Sequence, residues 1–306
     1  MTKRFNLFVL FMAVLLGAPY YWLLLDNRPG AAEAKPVTMA QLRELAAAMP
    51  GNAPDRVELE IVAYRRLPGN LFVAGAGMKR KLVGVMAWQL PVDGGKAVVI
   101  DSGLSEPAAT EMGMEAYDRQ AQARINTAME RAGTILITHE HMDHEGGLVA
   151  LGKPEVLARA RLNANQIEDN RWTEMLPWPQ GARPQPSLAG SEPVAVAPGV
   201  VVIPAPSHTP GSQMIFVRLS DGREFLFAGD IATFAQNWRE TRARSRLVGD
   251  WFAPEVRGEV FAWLRTIKAW KEQAPGLMIV PGHDFEFMIS TERPTGIVRG
   301  FSPPAD

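Results

Sequence analysis

Cysteine is missing from all 306 residues. Its absence excludes disulfides, thiolate metal sites and a cysteine nucleophile, while fitting either side of a membrane. A net charge of -1 gives no general basic field, so nucleic acid is not an expected partner. No G-x-S-x-G elbow occurs, which removes a serine hydrolase of that design. Histidine is scarce, at five copies, and no internal repeat stands out. What remains is ordinary: 47% hydrophobic and 21% charged, enough for a core of normal size in one large domain or two small ones.

The one long apolar run is at the start. Lys3 and Arg4 precede Phe5 to Leu25, interrupted only by Asn6, Gly17 and Pro19. As a helix it extends roughly 31 Å, enough to cross a bilayer core. Tyr20, Tyr21 and Trp22 suit a membrane interface. Two export readings follow, a retained anchor or a signal sequence cut near Ala32-Glu33-Ala34 to leave a chain from Lys35, beside the plainer one of a buried helix in a soluble protein. Both export readings keep Lys3 and Arg4 in the cytoplasm. The expected location is the cell envelope, either anchored in the inner membrane facing the periplasm or periplasmic after cleavage. Residues 1–25 are then the signal or anchor, 26–37 a linker rich in Pro, Gly and Ala, and 38–306 one folded domain.

Within that domain Thr38-Met39-Ala40-Gln41 has the form of a capping box. Met39, Leu42, Leu45 and Met49 follow at helical spacing, stopped by Pro50-Gly51. Strand-like runs are expected at Val57–Tyr64, Leu71–Ala74, Leu82–Leu90 and Ala97–Ile100. Asp93-Gly94-Gly95 makes a hairpin of the last two. Tyr117–Ala132 reads as helix, Thr134–Thr138 as a short strand, and Gly146–Leu151 as the opening of a helix. Arg171–Pro193 is a proline-rich loop. Strands return at Val200–Ile203, Met214–Leu219, Glu224–Ala228 and Leu277–Val280. Pro254–Glu272 is a helix with Val256, Val260, Leu264 and Ile267 on one face. Strands in runs with helices between them point to two sheets with helices outside.

The chemistry is concentrated in Thr134 to Gly147, TILITHEHMDHEGG. His139 and His141 are two apart, so on an extended segment they share a face. Asp143 and His144 follow within a tight turn, and all four side chains converge on one small volume. A lone histidine is normally a core or surface residue without further meaning. Three histidines and an aspartate in six positions make a ligand set instead. Imidazole with carboxylate suits zinc and its transition-metal neighbours. Gly146-Gly147 permits a sharp turn into the next helix.

The string T-H-E-H-M-D-H-E-G-G resembles the H-x-H-x-D-H signature of the metallo-β-lactamase superfamily. Further matches lie at strand ends: His208 in VVIPAPSHTPGS, Asp230 in EFLFAGD, His283 in LMIVPGHD and Asp101 in AVVIDSG. The resemblance spans residues 57 to 290 and uses all five histidines. It implies a four-layer αββα sandwich, an α/β fold, with two divalent metals at one edge, zinc being the expected ion. His139, His141 and His208 would hold one metal. Asp143, His144 and His283 would hold the other, and Asp230 would bridge them. Asp101 matches a buttress, not a ligand. The implied activity is that of a metallo-hydrolase. A hydroxide shared by the metals attacks an ester-, lactone- or amide-like bond, with Asp143 and Asp230 as the catalytic carboxylates.

Departures from relatives narrow the activity. Exported β-lactamases usually carry Cys or Ser where Asp230 stands, and Asp is more like glyoxalase II, acyl-homoserine lactonases and ribonuclease Z. Near-neutral charge disfavours ribonuclease Z. Lactonases of this kind often place a Tyr between the third histidine and the bridging aspartate, and no Tyr lies between His208 and Asp230. Alternatives are a β-lactamase, an iron-dependent oxidoreductase resembling persulfide dioxygenases, or an inert tethered binding protein. Trp172 and Trp178, and Phe234, Trp238, Arg239, Arg242, Arg244 and Arg246, are candidates to shape a pocket for a small-molecule substrate. Trp238, Arg239 and Arg242 are singled out as an apolar wall and a fork for substrate carboxylate or phosphate. The plainer reading of the same residues is a packed tryptophan and a solvated arginine face with Glu240 as partner.

Overall fold

The computed structural model describes residues 2–168 and 170–303. Among them the strands in chain order are β1 (Glu58–Pro68), β2 (Arg80–Leu90), β3 (Val98–Ile100), β4 (Ala116–Tyr117), β5 (Thr134–Leu136), β6 (Ala160–Arg161), β7 (Val194–Ala197), β8 (Val200–Pro204), β9 (Gln213–Arg218), β10 (Glu224–Gly229), β11 (Met278–Pro281) and β12 (Val298–Arg299). The α-helices are α1 (Lys3–Tyr20), α2 (Met39–Ala48), α3 (Gly69–Phe72), α4 (Glu106–Glu111), α5 (Arg119–Arg131), α6 (Met142–Leu151), α7 (Pro154–Leu157), α8 (Arg171–Met175), α9 (Ala235–Glu240), α10 (Arg257–Gln273) and α11 (Phe285–Thr295).

One sheet has the order β12-β1-β2-β3-β5-β6 with β4 beside β1, and the other the order β11-β10-β9-β8-β7. Successive side chains leave a strand on opposite faces, so each strand serves two cores. Leu59, Met86, Trp88 and Ile100 meet Val202, Ile215, Phe225 and Phe227 between the sheets. The Trp88 and Phe227 rings pack edge to face, their centroids 5.3 Å apart. The alternate residues of the second sheet, Val201, Ile203, Phe216 and Leu226, pack outward against Leu42 of α2 and Leu264 and Ile267 of α10. Those of the first sheet, Val62, Val85, Val99 and Ile135, pack against Ile125 and Met129 of α5 and Leu148 of α6. Each such side chain contributes about 1.5–3 kcal/mol by leaving water. The result is the αββα sandwich.

Strand direction places the site. β3 and β5 pair in parallel, Ile100 opposite Leu136. β10 and β11 also run parallel, and β8 is antiparallel to β9, which is antiparallel to β10. Asp101 and Asp230 follow β3 and β10 at once, and His139, His208 and His283 follow β5, β8 and β11 within four residues.

Several expectations change. Leu71–Ala74 is no strand: α3 covers Gly69–Phe72, closed by Val73 N–H to Gly69 O at 3.1 Å. Four apolar residues carry no period, and Phe72 and Val73 are buried with Val83 and Phe234 whichever way the backbone turns. Tyr117 belongs to β4, and Asp118 caps α5 by accepting from Gln120 and Ala121 N–H. α6 begins at Met142, four residues before Gly146. Both glycines are therefore inside the helix. At Gly147 a Cβ would fall 1.9 Å from Ser102 O, so close approach to the β3 loop, not a turn, requires it. α10 starts at Arg257, leaving Pro254 outside and Val256 exposed, because Glu255 is drawn into the site described below. The stretch expected as a linker is docked. Ala32 and Val37 pack against the core of α10, and Trp270 Nε1 donates to Val37 O at 2.9 Å.

Candidate metal centre

His139 to His144 leave β5 and enter α6, with His141 at the cap position and Asp143 in the first turn. Carboxylates are favoured there by the unpaired N–H groups of a helix start. Asp101, next after β3, adopts φ 58°, a left-handed conformation uncommon for aspartate. It aims its carboxylate back at the motif, accepting from Thr138 N–H at 2.7 Å and lying 2.9 Å from His144 Nδ1. Glu140, buried, accepts from Thr209 Oγ1 at 2.7 Å and Gly211 N–H at 3.0 Å, which ties the His208 loop to the β5 loop.

The structure brings all seven motif residues into two groups. Ligand atoms of His139, His141, His208 and Asp230 lie within 4.8 Å of one another, and so do those of Asp143, His144 and His283. In the first, His141 Nδ1 lies 2.9 Å from His139 Nε2 and 3.2 Å from His208 Nε2. In the second, His144 Nε2 lies 3.1 Å from His283 Nε2, and Asp143 Oδ2 is 3.5 Å from the latter. Asp230 divides its oxygens between them. Oδ2 faces His208 Nε2 at 3.7 Å and His139 Nε2 at 3.9 Å, while Oδ1 faces His283 Nε2 at 3.1 Å and His144 Nε2 at 3.9 Å. Gly282 makes room for it, since a Cβ there would fall 2.2 Å from Asp230 Oδ1.

The donor set fits a pair of cations. His283 Nδ1 donates to Gly84 O at 2.7 Å, which turns its Nε2 toward Asp230 Oδ1. Two lone pairs at that distance repel unless a proton or a metal lies between them. Asp230 Oδ1 and His141 Nε2 are buried without a hydrogen-bond partner. Imidazoles and carboxylates of this kind suit zinc, and four of the five rings are held from behind in the way that orients metal-bound histidines. His208 Nδ1 lies 3.3 Å from the buried carboxyl of Glu255, His144 Nδ1 rests on Asp101, and His139 Nδ1 is 3.2 Å from Thr138 Oγ1.

Charge differs across the groups. Burial, then neighbouring positive groups, hold His139, His141 and His208 well below the usual imidazole range. Burial also opposes charge on His144, but Asp101 with Asp143 and Asp230 outweighs it and lifts the ring to about 9. His283 is raised in the same way against its burial, chiefly by Asp230. Burial pushes the Glu255 carboxyl up to about 7. Asp230 is held well below its usual range despite burial, mainly by His283 and Arg244.

A cavity of about 520 Å³ opens over Asp230, Asp143, His141 and His283. Its wall is largely apolar: Leu67, Leu71, Phe72, Val83, Met112, Trp172, Met175, Val248 and Phe252. Trp172, on α8, stands edge-on to the His141 ring at 4.3 Å between centroids. Trp178 packs instead against the α5–α6 core. Trp238, Arg239 and Arg242 are not among the residues lining this cavity. Trp238 is buried under α10. Arg239 lies over the rings of Trp238 and Phe287, and Arg242 pairs with Glu240 at 2.9 Å and donates to Ala74 O. The geometry is that of a packed tryptophan and an arginine face. A different arginine of the same segment reaches the floor: Arg244, buried, donates to Asp230 Oδ2 and to Thr233 Oγ1. Arg65 adds a second cation to the wall. Glu255 had no signal in the sequence, being 47 residues from His208 in a stretch without pattern.

The family model described as the metallo-beta-lactamase superfamily matches residues 85–283. No curated protein matches the chain. Among solved structures, a quorum-quenching N-acyl homoserine lactone lactonase is 16% identical with a TM-score of 0.62, over 79% of this chain and 97% of its own. An N-acyl homoserine lactone hydrolase with its product bound at the catalytic metal centre is 16% identical with a TM-score of 0.61, over 78% and 96%. A dizinc quorum-quenching lactonase is 11% identical with a TM-score of 0.53, over 75% and 88%. At these identities the likeness is one of fold.

Proposed function

The chain belongs to the metallo-beta-lactamase superfamily, and from that premise we propose that it is a dinuclear metallo-hydrolase cleaving an ester- or lactone-like bond in a small, largely apolar substrate. The observation that carries this is Asp230, with one oxygen turned to each ligand group at the floor of an apolar cavity. His139, His141 and His208 would hold one ion, Asp143, His144 and His283 the other, with Asp230 shared. Two divalent ions, zinc by donor chemistry, supply a water made acidic near neutral pH and a Lewis acid for the attacked carbonyl.

The chain's own residues do the rest. Glu255, Asp101 and Gly84 O fix the backs of the rings, so the free nitrogens keep their direction. Neutral His139, His141 and His208 present lone pairs without first losing a proton. The Asp143 carboxylate lies at the cavity floor, placed to accept a proton from the attacking water. The wall from Leu67 to Phe72 and from Val248 to Phe252 takes up apolar substrate and excludes water. Lactonase folds of the same shape support a carbonyl substrate. With no Tyr between His208 and Asp230, Arg65 and Arg244 are the cationic donors in the lining for its oxygen.

The test is metal content joined to a panel of lactone, thioester, β-lactam and phosphodiester substrates. Two equivalents of zinc, with turnover of lactones or esters lost to a chelator and restored by zinc, are expected. Turnover indifferent to chelation overturns the mechanism. Iron with oxygen consumption replaces hydrolysis by redox chemistry.

A further inference from the structure

The end of the N-terminal helix and the segment that reaches the cavity wall are joined by direct contacts. From Lys3 to Leu25 the helix is apolar enough to span a bilayer, and none of its apolar window is buried by the protein. Its last turn, Tyr21–Leu25, widens into a π-helical turn. Asp26 is the first charge after Arg4, so it marks where a membrane-crossing helix would leave the hydrocarbon. Asp26 does not enter a loose tether. Its side chain is fully covered and is held by Arg246 at 2.7 Å and Arg28 at 2.6 Å. Arg257 donates to its carbonyl at 2.7 Å. Gly75 N–H donates to Leu24 O at 2.8 Å, and Asn27 bonds to Thr241 O and Ala243 N–H.

Three of those partners, Thr241, Ala243 and Arg246, belong to the segment that runs on to the cavity wall. Arg246 follows Arg244 by two residues, and Val248, Phe252 and Ala253 line the cavity. One guanidinium makes the connection: Arg246 lies 4.0 Å from the centre of the Trp22 ring, binds Asp26, and reaches Asp250 at 3.1 Å. Trp251 and Phe252 come next, within about 8 Å of Asp250 along the chain. They are 70% and 68% exposed, and Phe252 lines the cavity. On the other side of the helix exit, the loop after Gly75 exposes Met78 at 65%, followed by exposed Lys79 and Arg80. Apolar tips beside cations, on segments bonded through Gly75 and Arg246 to the end of an apolar helix, match the interface of a bilayer with anionic headgroups.

We propose that the mouth of the cavity is held against the surface of the bilayer that α1 crosses. Trp251, Phe252 and Met78 enter the headgroup layer, and the substrate is an acyl-bearing amphiphile that passes from lipid to the metals without crossing open water. The substrate part rests on the hydrolase reading, and the surface part does not. The acyl chain follows the wall of Leu67, Leu71, Phe72, Met175 and Phe252, while the polar bond reaches Asp230 and His283.

The missing cysteines make a clean test, because a single introduced thiol is the only one to label. Full-length Trp251→Cys, Met78→Cys and Asp93→Cys are labelled with an environment-sensitive fluorophore. They are reconstituted in vesicles of phosphatidylcholine and phosphatidylglycerol carrying a nitroxide on the lipid. Asp93 lies beyond the far end of β2 from Arg80, an 11-residue strand away. Positions 251 and 78 should be quenched severalfold more than 93. Equal quenching at the three positions, with the protein still in the vesicles after an alkaline wash, overturns the orientation while leaving the anchor and the hydrolase. Recovery of the protein in the wash overturns the membrane surface altogether. Quenching at 251 and 78 with no hydrolysis of any ester supports the surface and overturns the hydrolase reading alone. Trp251→Ser with Met78→Ser, neither of them in the cavity wall, should leave turnover of a water-soluble short-chain ester unchanged and cut turnover of a long-chain ester in vesicles severalfold. Equal turnover of both substrates by the variant overturns delivery from lipid.

Discussion

Two groups of ligands share Asp230 but meet it in different states. His139, His141 and His208 are three desolvated imidazoles, neutral and backed by Thr138 and Glu255. Asp143, His144 and His283 mix a carboxylate with two rings, and Asp101 keeps His144 protonated to about pH 9 in the metal-free protein. The first group is ready for a cation as folded. The second must give up a proton to receive one, so its loading is tied to pH. Burial favours neutral rings in both, and the local carboxylates decide where that preference is reversed.

The sharpest break of this pairing is Asp230→Ala. It removes the carboxylate whose two oxygens face the two groups and should leave activity at the chelated background with fewer than two metal equivalents, read by elemental analysis. Retained activity would mean that the groups work independently. Arg244→Ala comes next. It strips a buried carboxylate of its cation, a change of about 3–5 kcal/mol in such pairs, and denaturant unfolding should show most of that loss in the metal-free protein. Metals at Asp230 should recover much of it, and an equal loss in both forms would place the role of Arg244 outside the metal centre.

The braces test the two halves separately. Glu255→Gln and Asp101→Asn should each weaken metal binding by about 10–100-fold, the first acting on the histidine group and the second on the mixed group. Stepwise metal titration should show different equivalents affected, and identical curves would erase the distinction. The pH effect is smaller. The His144 ring titrates near 9 when metal-free, above its ordinary value. Its pairing with Asp101 therefore stabilises the metal-free fold fully below about pH 6.5 and progressively less as pH rises through 9. Since metal takes the deprotonated ring, the gain in Tm from added zinc should grow across that interval, and a flat gain would contradict it. Smallest of all is Arg239→Ala, an exposed cation over Phe287. It should cost less than about 1 kcal/mol and leave the KM of anionic and neutral substrates alike. A selective rise for anions would bring Arg239 back to the site.

The seven motif residues were legible because they cluster in the loops and the helix start that follow short apolar strands, where local spacing carries the signal. The sandwich was legible for the same reason: Val201, Val202 and Ile203 or Ile215, Phe216 and Val217 announce strands buried on both faces. What long-range contact decides was not legible. Glu255 reaches His208, and Arg244 rather than Arg242 reaches Asp230, through folding of a segment that has no period of its own. Leu71–Ala74 looked extended because four apolar residues fit a strand or a turn of helix equally well. The Pro- and Gly-rich stretch after Asp26 looked free because composition does not reveal docking.

That docking sets a clock. Arg265 donates to Ala32 O, and Lys35 N–H donates to Thr266 Oγ1 at 2.7 Å, on either side of Ala34. A peptidase needs the backbone there to be extended and unoccupied. Once α10 has formed, both flanks are taken. Were the chain exported with a cut at Ala32-Glu33-Ala34, cutting and folding would compete as the segment emerged, and the order of the two events would decide whether a copy was released or stayed attached. On that reading a change that slows the formation of α10, far from Ala34, would shift the balance toward release.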